Sequence, residues 1–455
     1  MFETVIRGGL VILPHGPGRV DLGIGADGTF HAIASPSELE GKRIIDADGL
    51  VVLPGGIDPH VHIKMEFSKI QKTIDDFYTA TVPAAMGGTT SIVEFAIPME
   101  GETTQQALSR RYEEAAGMSV IDYNFHSVVV GHTFAESLAH LEHVREQGIG
   151  TVKVFSAYSD SIGLTLGQIQ TVMRICNQQG LLPLVHSETE SLILRGIADQ
   201  VERNNLVPHA HLEARTTLAE ADAIRSICDM AADADVPVFI VHVSSADGSA
   251  IIHERRQQGQ KVYAETCTQY LFLDDSVFYR PHGELWICSP PIRTKEHQKA
   301  LWKEIQRGTF DLVSTDHNSF TREQKALHSD DFRKVPNGLP GLEFRMPILI
   351  SAVLEGRLTW QQLAQLTAEG PARVFGMLPH KGIIGVGYDA DFLLVDPAGE
   401  TDLSIGHMAT DYSPYEGIAR GRIQQTWVRG TCLINDGELQ VEKGYGAKLG
   451  FNCGL

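Results

Sequence analysis

Long apolar runs are missing from this sequence, and none approaches the roughly 18 residues that a membrane-spanning helix requires. A span is therefore not expected. Positive charge is also scarce: Lys and Arg number 38 against 57 Asp and Glu, a formal net charge of −19. Phosphate backbones and anionic lipid surfaces are bound through clustered Lys and Arg, so neither nucleic acid nor membrane is an expected partner. Cysteine is sparse as well. The six residues Cys176, Cys228, Cys267, Cys288, Cys432 and Cys453 include no CxxC pair, which favours free thiols in a reducing compartment over a disulfide framework. The opening residues Met1-Phe2-Glu3-Thr4-Val5-Ile6-Arg7 have neither the basic-then-apolar character of a secretion signal nor the Arg-rich character of a transit peptide. The expected location is cytoplasmic.

What is present is an ordinary globular composition, 43% hydrophobic and 21% charged over 455 residues, enough for one large domain and a smaller one. From about residue 57 to 320, short β-rich runs alternate with amphipathic stretches, the pattern of βα units around a parallel sheet. The expected strands are 57–62, 90–95, 122–130, 152–157, 182–186, 236–243, 262–266 and 312–316, with helices such as 104–116 and 217–232 between them. Eight such units imply a (β/α)8 TIM barrel of the α/β class. Residues 1–54 and the segment from 382 onward read instead as short strands broken by Gly and Pro, as in Gly16-Pro17-Gly18 and Ala26-Asp27-Gly28. The expected organisation is a barrel over 55–381 beside a small β-sandwich domain built from 1–54 and 382–455.

The sharpest local motif is Asp58-Pro59-His60-Val61-His62. Strand side chains alternate with a period of two, so His60 and His62 share a face and can grip one metal ion. His186 and His242 each close an apolar strand run, and Asp316 ends the eighth run. A single strand-end histidine is more often a hydrogen-bonded rim residue than a ligand. Four histidines and an aspartate converging on the end of the barrel where active sites form point to a metal centre. Lys153, on the apolar run Thr151-Val152-Lys153-Val154-Phe155, is the odd member, because an ammonium has no lone pair to offer. An ion pair with Asp316 or Glu188 is its competing role.

Over essentially the whole chain these motifs resemble the amidohydrolase superfamily, and within it the hydantoinase and dihydropyrimidinase family. The resemblance extends to Asp75-Asp76-Phe77-Tyr78, Gly87-Gly88-Thr89-Thr90, Lys153-Val154-Phe155 with Tyr158, Ser289-Pro290-Pro291-Ile292-Arg293, Pro336-Asn337-Gly338-Leu339-Pro340-Gly341 and Tyr412-Ser413-Pro414-Tyr415-Glu416-Gly417. It implies a hydrolase that opens hydantoins or dihydropyrimidines to N-carbamoyl amino acids with two divalent metal ions, usually zinc. Lys153 would be N-carboxylated by carbon dioxide and bridge the metals, with His60, His62 and Asp316 on one and His186 and His242 on the other. A metal-bridging hydroxide would be the nucleophile, Asp316 the proton carrier and Tyr158 the hydrogen-bond donor to the oxyanion. Backbone groups of Ser289 and Asn337 would hold the cyclic imide or ureide. Met65, Phe67, Phe155 and Ile162 are candidates for reading the exocyclic substituent, with packing as the competing role. The resemblance further implies a homotetramer or homodimer.

Several positions depart from the family pattern, including Asn318, where a cysteine commonly follows the Asp-His pair, and Arg215-Thr216, where Arg-Pro is common. Lys64 stands where dihydroorotases carry a substrate-binding arginine, so an acidic substituent and a solvent-facing lysine are both open. An allantoinase-like or dihydroorotase-like ureide hydrolase is the alternative, although Ile63-Lys64-Met65-Glu66-Phe67 lacks the Glu-Pro-Gly-like sequence of those branches. A non-catalytic scaffold, as in the collapsin response mediator proteins, would have lost metal ligands, and here every ligand position is filled.

Overall fold

A computed structural model describes residues 1–66, 72–404 and 406–450. Phe67 and Cys453 lie outside the described residues.

The alternation seen in sequence becomes eight parallel strands: β1 (Gly56–His62), β2 (Thr89–Ala96), β3 (Asp122–Val128), β4 (Thr151–Phe155), β5 (Leu182–His186), β6 (Val238–Ile240), β7 (Val262–Cys267) and β8 (Leu312–Ser314). They pair in sequence order, and His317–Asn318 then pairs in parallel with Val61 and His62 of β1, so the ring closes as a TIM barrel. Both faces of these strands are covered, which is why they read as continuous apolar runs. Side chains nevertheless sort by the period of two. Leu182 and Leu184 of β5 join the interior cluster with Val93, Phe95, Phe155 and Phe239, while Val185 packs outward with Val152, Val154 and Ile240. Phe375 and Met377 complete the interior cluster. Each large side chain buried this way contributes roughly 1.5–3 kcal/mol. The expected helices are present as Thr104–Ala115 and Thr217–Asp233.

Four strands are shorter than their expected runs, β3 among them, which ends at Val128. β4 ends at Phe155, β6 at Ile240 and β8 at Ser314. For β6 and β8 the reason is local: His242 (φ 39°) and Asp316 (φ 50°) adopt left-handed backbone, which ends extended pairing and turns each side chain toward the mouth of the barrel. Non-glycine residues in that region cost on the order of 1–3 kcal/mol each and persist where surrounding packing enforces them.

The two chain ends form the second unit. Val51–Pro54 pairs antiparallel with Phe392–Asp402, which pairs with Ile418–Val428, in a seven-stranded sheet drawn from both ends. A four-stranded sheet comes from the N-terminal segment alone, Phe2–Arg7, Asp21–Ile24, Phe30–Ala34 and Gly41–Asp46. Their facing surfaces share a core in which Phe392 stacks on Trp427 at 5.2 Å and Ile6, Leu22 and Phe30 join Val52. The sandwich is tied to the barrel by buried Lys381, whose Nζ donates to Asp122 of β3 (2.6 Å) and to Asp391 (2.8 Å). The five described cysteines are free thiols, as expected.

Candidate active site

Six residues anticipated from the sequence, His60, His62, Lys153, His186, His242 and Asp316, stand at the C-terminal mouth of the barrel, and all are buried. Five of them, all but Lys153, fall into two groups. In the first, the Nε2 atoms of His60 and His62 lie 3.2 and 3.1 Å from the same Asp316 oxygen, Oδ1, a cluster that could hold a metal ion. In the second, His186 Nδ1 and His242 Nε2 face one another at 2.9 Å. The groups adjoin, with the His60 and His242 rings 5.4 Å apart.

Lys153 is 1% exposed, yet it makes no ion pair with a carboxylate among the described residues. Asp316 is engaged by His60 and His62, and Glu188 by His186 and Arg215, so the pairing considered for Lys153 is not what the structure contains. Its Nζ instead lies 4.9 Å from the centre of the Phe95 ring and 5.1 Å from that of Phe155. Burial pushes the ammonium down to about 8 against the opposing pull of Glu265 and Asp316. A substantial neutral fraction near pH 8 leaves the amine nucleophilic.

The electrostatics suit cation binding. Burial lowers His62 to about 4 and lowers His186 and His242, so each is a neutral imidazole with a lone pair to give. His60 differs: burial acts to lower it, but the carboxylates of Glu265 and Asp316 prevail and raise it to about 9. Burial would raise Asp316, yet His60 and His62 hold it well below the usual carboxylate range, ionised. Three neutral imidazoles and one ionised carboxylate, with His60 held charged by the same carboxylates that would favour a metal ion in place of its proton, give a donor set that fits divalent metal ions taking nitrogen and oxygen ligands.

Support around this set was not legible as function in the sequence. Glu265, in the middle of β7, pairs with His60 Nδ1 and accepts the His242 backbone N–H (3.1 Å), so one carboxylate braces both groups. Glu188 bonds His186 Nε2 (2.8 Å) and pairs with Arg215, whose guanidinium lies 5.2 Å from the Tyr158 ring centre. The motif Asp75-Asp76 divides its work. Asp76 caps the helix Phe77–Met86 by accepting the Tyr78 and Thr79 N–H groups, while Asp75 bonds His317 Nε2 at 3.0 Å, next to Asp316. The available signal was a charged residue inside an apolar strand run, which Glu265 shares with Lys153.

Tyr158 stands above His186, ring centres 5.2 Å apart, on left-handed backbone (φ 69°). Burial raises its hydroxyl, so it stays a donor, with Arg215 and Ser289 acting in the opposite sense. Ser289 Oγ donates to Asn337 Oδ1 (2.8 Å), which brings the two anticipated substrate-reading segments together. Gly338 closes that turn at φ 129°, and a Cβ there would lie 2.3 Å from Asn318 Cβ, so the motif needs glycine. Met65 and Phe155 are buried near the mouth, and Ile162 packs with Tyr158 against the interior cluster. Lys64 is half-exposed and pairs with Glu114 at 3.2 Å.

The geometry defines a class, and comparison with known proteins agrees with it: residues 51–433 match the amidohydrolase family. The chain is 37% identical to the D-hydantoinase of Streptomyces coelicolor over 98% of its own length and 97% of that protein. It is 34% identical to the dihydropyrimidinase of Arabidopsis thaliana, covering 96% of this chain and 83% of that one. The crystal structure of D-hydantoinase from Bacillus sp. AR9 superposes with a TM-score of 0.93 at 35% identity, over 99% of this chain and 100% of that one. The chain belongs to the amidohydrolase family, in its hydantoinase and dihydropyrimidinase branch.

Proposed function

We propose that this enzyme hydrolyses a ring C–N bond of hydantoins and dihydropyrimidines, giving N-carbamoyl amino acids, at the site at the barrel mouth. The observation that carries the reading is the convergence of His60, His62, His186, His242 and Asp316 around a buried Lys153 with no carboxylate partner among the described residues. In this reading Lys153 takes up carbon dioxide, and its carbamate with His60, His62 and Asp316 holds one metal ion while the carbamate with His186 and His242 holds the other. When bound, the two ions, zinc in this reading, supply Lewis acidity: they polarise a ring carbonyl and bring water to a pKa of about 7.

The protein's own groups do the rest. Asp316, ionised between two imidazoles, takes a proton from the attacking water and returns it to the ring nitrogen as the C–N bond breaks. Tyr158 donates to the oxygen that gains charge when the carbonyl becomes tetrahedral. Backbone groups of Ser289 and Asn337 hold the ring, and contacts of that kind ignore the substituent. Met65, Phe155 and Ile162 then set which substituents fit. The proposed division places this chemistry in the barrel, 55–381, and the sandwich in 1–54 and 382–455, of which 451–455 lie outside the described residues.

Self-association into a dimer or tetramer is part of the same reading. Leu194 and Val201, seven residues apart on one face of the helix Glu190–Glu202, are 57% and 41% exposed, an apolar stripe suited to a protein partner. A cytoplasmic location is proposed as well, and among the described residues no helix is long and apolar enough to cross a membrane. The test is turnover of a panel: hydantoin, D- and L-5-substituted hydantoins, dihydrouracil, allantoin and dihydroorotate. Preferential turnover of hydantoins or dihydrouracil supports the proposal, and preference for allantoin or dihydroorotate moves the enzyme to another branch.

A further inference from the structure

Lys325 lies on the helix Arg322–Ala326, and its side chain is completely buried. The ammonium Nζ donates to two carbonyl oxygens, Ile287 O at 2.8 Å and Pro336 O at 2.7 Å, and lies 5.7 Å from the centre of the Phe320 ring. No carboxylate pairs with it among the described residues. Burying an unpaired ammonium is costly, and a methionine would fill comparable space without that cost. The arrangement therefore has to be explained by the two carbonyls.

Those carbonyls belong to segments far apart in sequence. Ile287 stands two residues before Ser289, and Pro336 immediately precedes Asn337. A carbonyl and the following N–H share one rigid peptide plane, so fixing Pro336 O also fixes the direction of the Asn337 N–H. Likewise, fixing Ile287 O fixes the Cys288 peptide that leads into Ser289. Two further bonds join the segments, Gly338 N–H to Ile287 O (3.0 Å) and Ser289 Oγ to Asn337 Oδ1 (2.8 Å). Among the described residues, Lys325 is the charged group that donates to both.

We propose that Lys325 is a positioning residue that sets the spacing of the two backbone segments, 287–289 and 336–338, between which the substrate ring binds. This rests on the reading that Ser289 and Asn337 receive the ring. Burial pushes the ammonium down to about 7, with Cys288 and Glu284 the groups that oppose the shift.

The test is steady-state kinetics on hydantoin and dihydrouracil for Lys325→Met, Lys325→Arg and Gly338→Ala, with metal content measured on each preparation. Small displacements of binding groups are costly, so Lys325→Met is expected to raise KM about 10-fold while kcat stays within about 3-fold and metal per chain is unchanged. Lys325→Arg keeps a cation with N–H donors and is expected to recover most of the loss. A purely structural lysine would lower thermal stability or active fraction and leave KM alone, and an unchanged KM in Lys325→Met overturns the proposal. Should that variant not fold, Lys325→Gln carries the same comparison. Gly338→Ala separates the two levels, because its Cβ must displace Asn318 and so moves Asn337 directly. If it leaves KM unchanged, the segment does not hold the ring; if it raises KM while Lys325→Met does not, only the clamp is wrong.

Discussion

Replacing Glu265 by glutamine probes the link between the two histidine groups. The Glu265 carboxylate is buried, pairs with His60 Nδ1 and accepts the His242 N–H. Its negative charge favours any cation at the His60 ring, proton or metal, and together with Asp316 it raises that imidazole to about 9 in spite of burial. Glutamine removes the charge and leaves one acceptor oxygen in place of two. Losing an outer carboxylate of this kind costs about 10–100-fold in metal affinity, roughly 1.4–2.7 kcal/mol. If the His242 N–H is left unpaired, folding loses a further ~1–3 kcal/mol. The assay is zinc titration against a chromophoric chelator, with thermal unfolding of the metal-free protein alongside. We expect weaker zinc binding, a lower unfolding midpoint, and kcat that recovers when zinc is raised to saturation. Zinc affinity within about twofold of wild type, set against that expected range, would refute the idea that Glu265 braces the site.

Tyr158→Phe should lower kcat by about 10²–10³-fold at unchanged metal content, as for loss of one oxyanion donor; an unchanged kcat would remove Tyr158 from the mechanism. Arg215→Met strips buried Glu188 of its guanidinium partner, leaving only the neutral His186, and should cost about 3–5 kcal/mol of stability, read by denaturant unfolding. Lys153→Met should retain less than one metal per chain and almost no activity. The native Lys325 amine titrates at about 7 and an unfolded lysine near 10.5, so the unfolded chain binds more protons between those values. The cost of burying the charge is therefore fully present below pH 7 and is relieved as pH rises from 7 toward 10.5. Lys325→Met lacks this effect, so its unfolding midpoint relative to wild type should be more favourable at pH 6 than at pH 9.

Much of the fold was legible because strand and helix periods survive in the sequence. β5 matches its apolar run residue for residue, and Thr217–Asp233 extends the expected helix by one residue. The ends of β6 and β8 were not legible, because left-handed backbone at His242 and Asp316 is imposed by the site and leaves no mark in side-chain alternation. The same holds for function. His60 and His62 stand out through their spacing, and Lys153 through its mismatch with an apolar strand. Glu265 carries the same mismatch, but its role depends on the neighbour relation of β6 and β7 and on the distance across the barrel to His60. The roles of Asp75, quoted only as part of a motif, and of Lys325 were not legible for a similar reason, since their partners His317, Ile287 and Pro336 are brought to them only by the closed ring and its loops.

Zinc titration of metal-stripped enzyme in bicarbonate-containing buffer, with hydantoin hydrolysis followed at each addition, reads the metal stoichiometry of the site directly. The account predicts that activity rises to a plateau at about two zinc ions per chain, as a two-metal site requires, and that the plateau collapses when carbon dioxide is excluded during reconstitution. A plateau at one ion, or activity indifferent to both zinc and carbon dioxide, would contradict it.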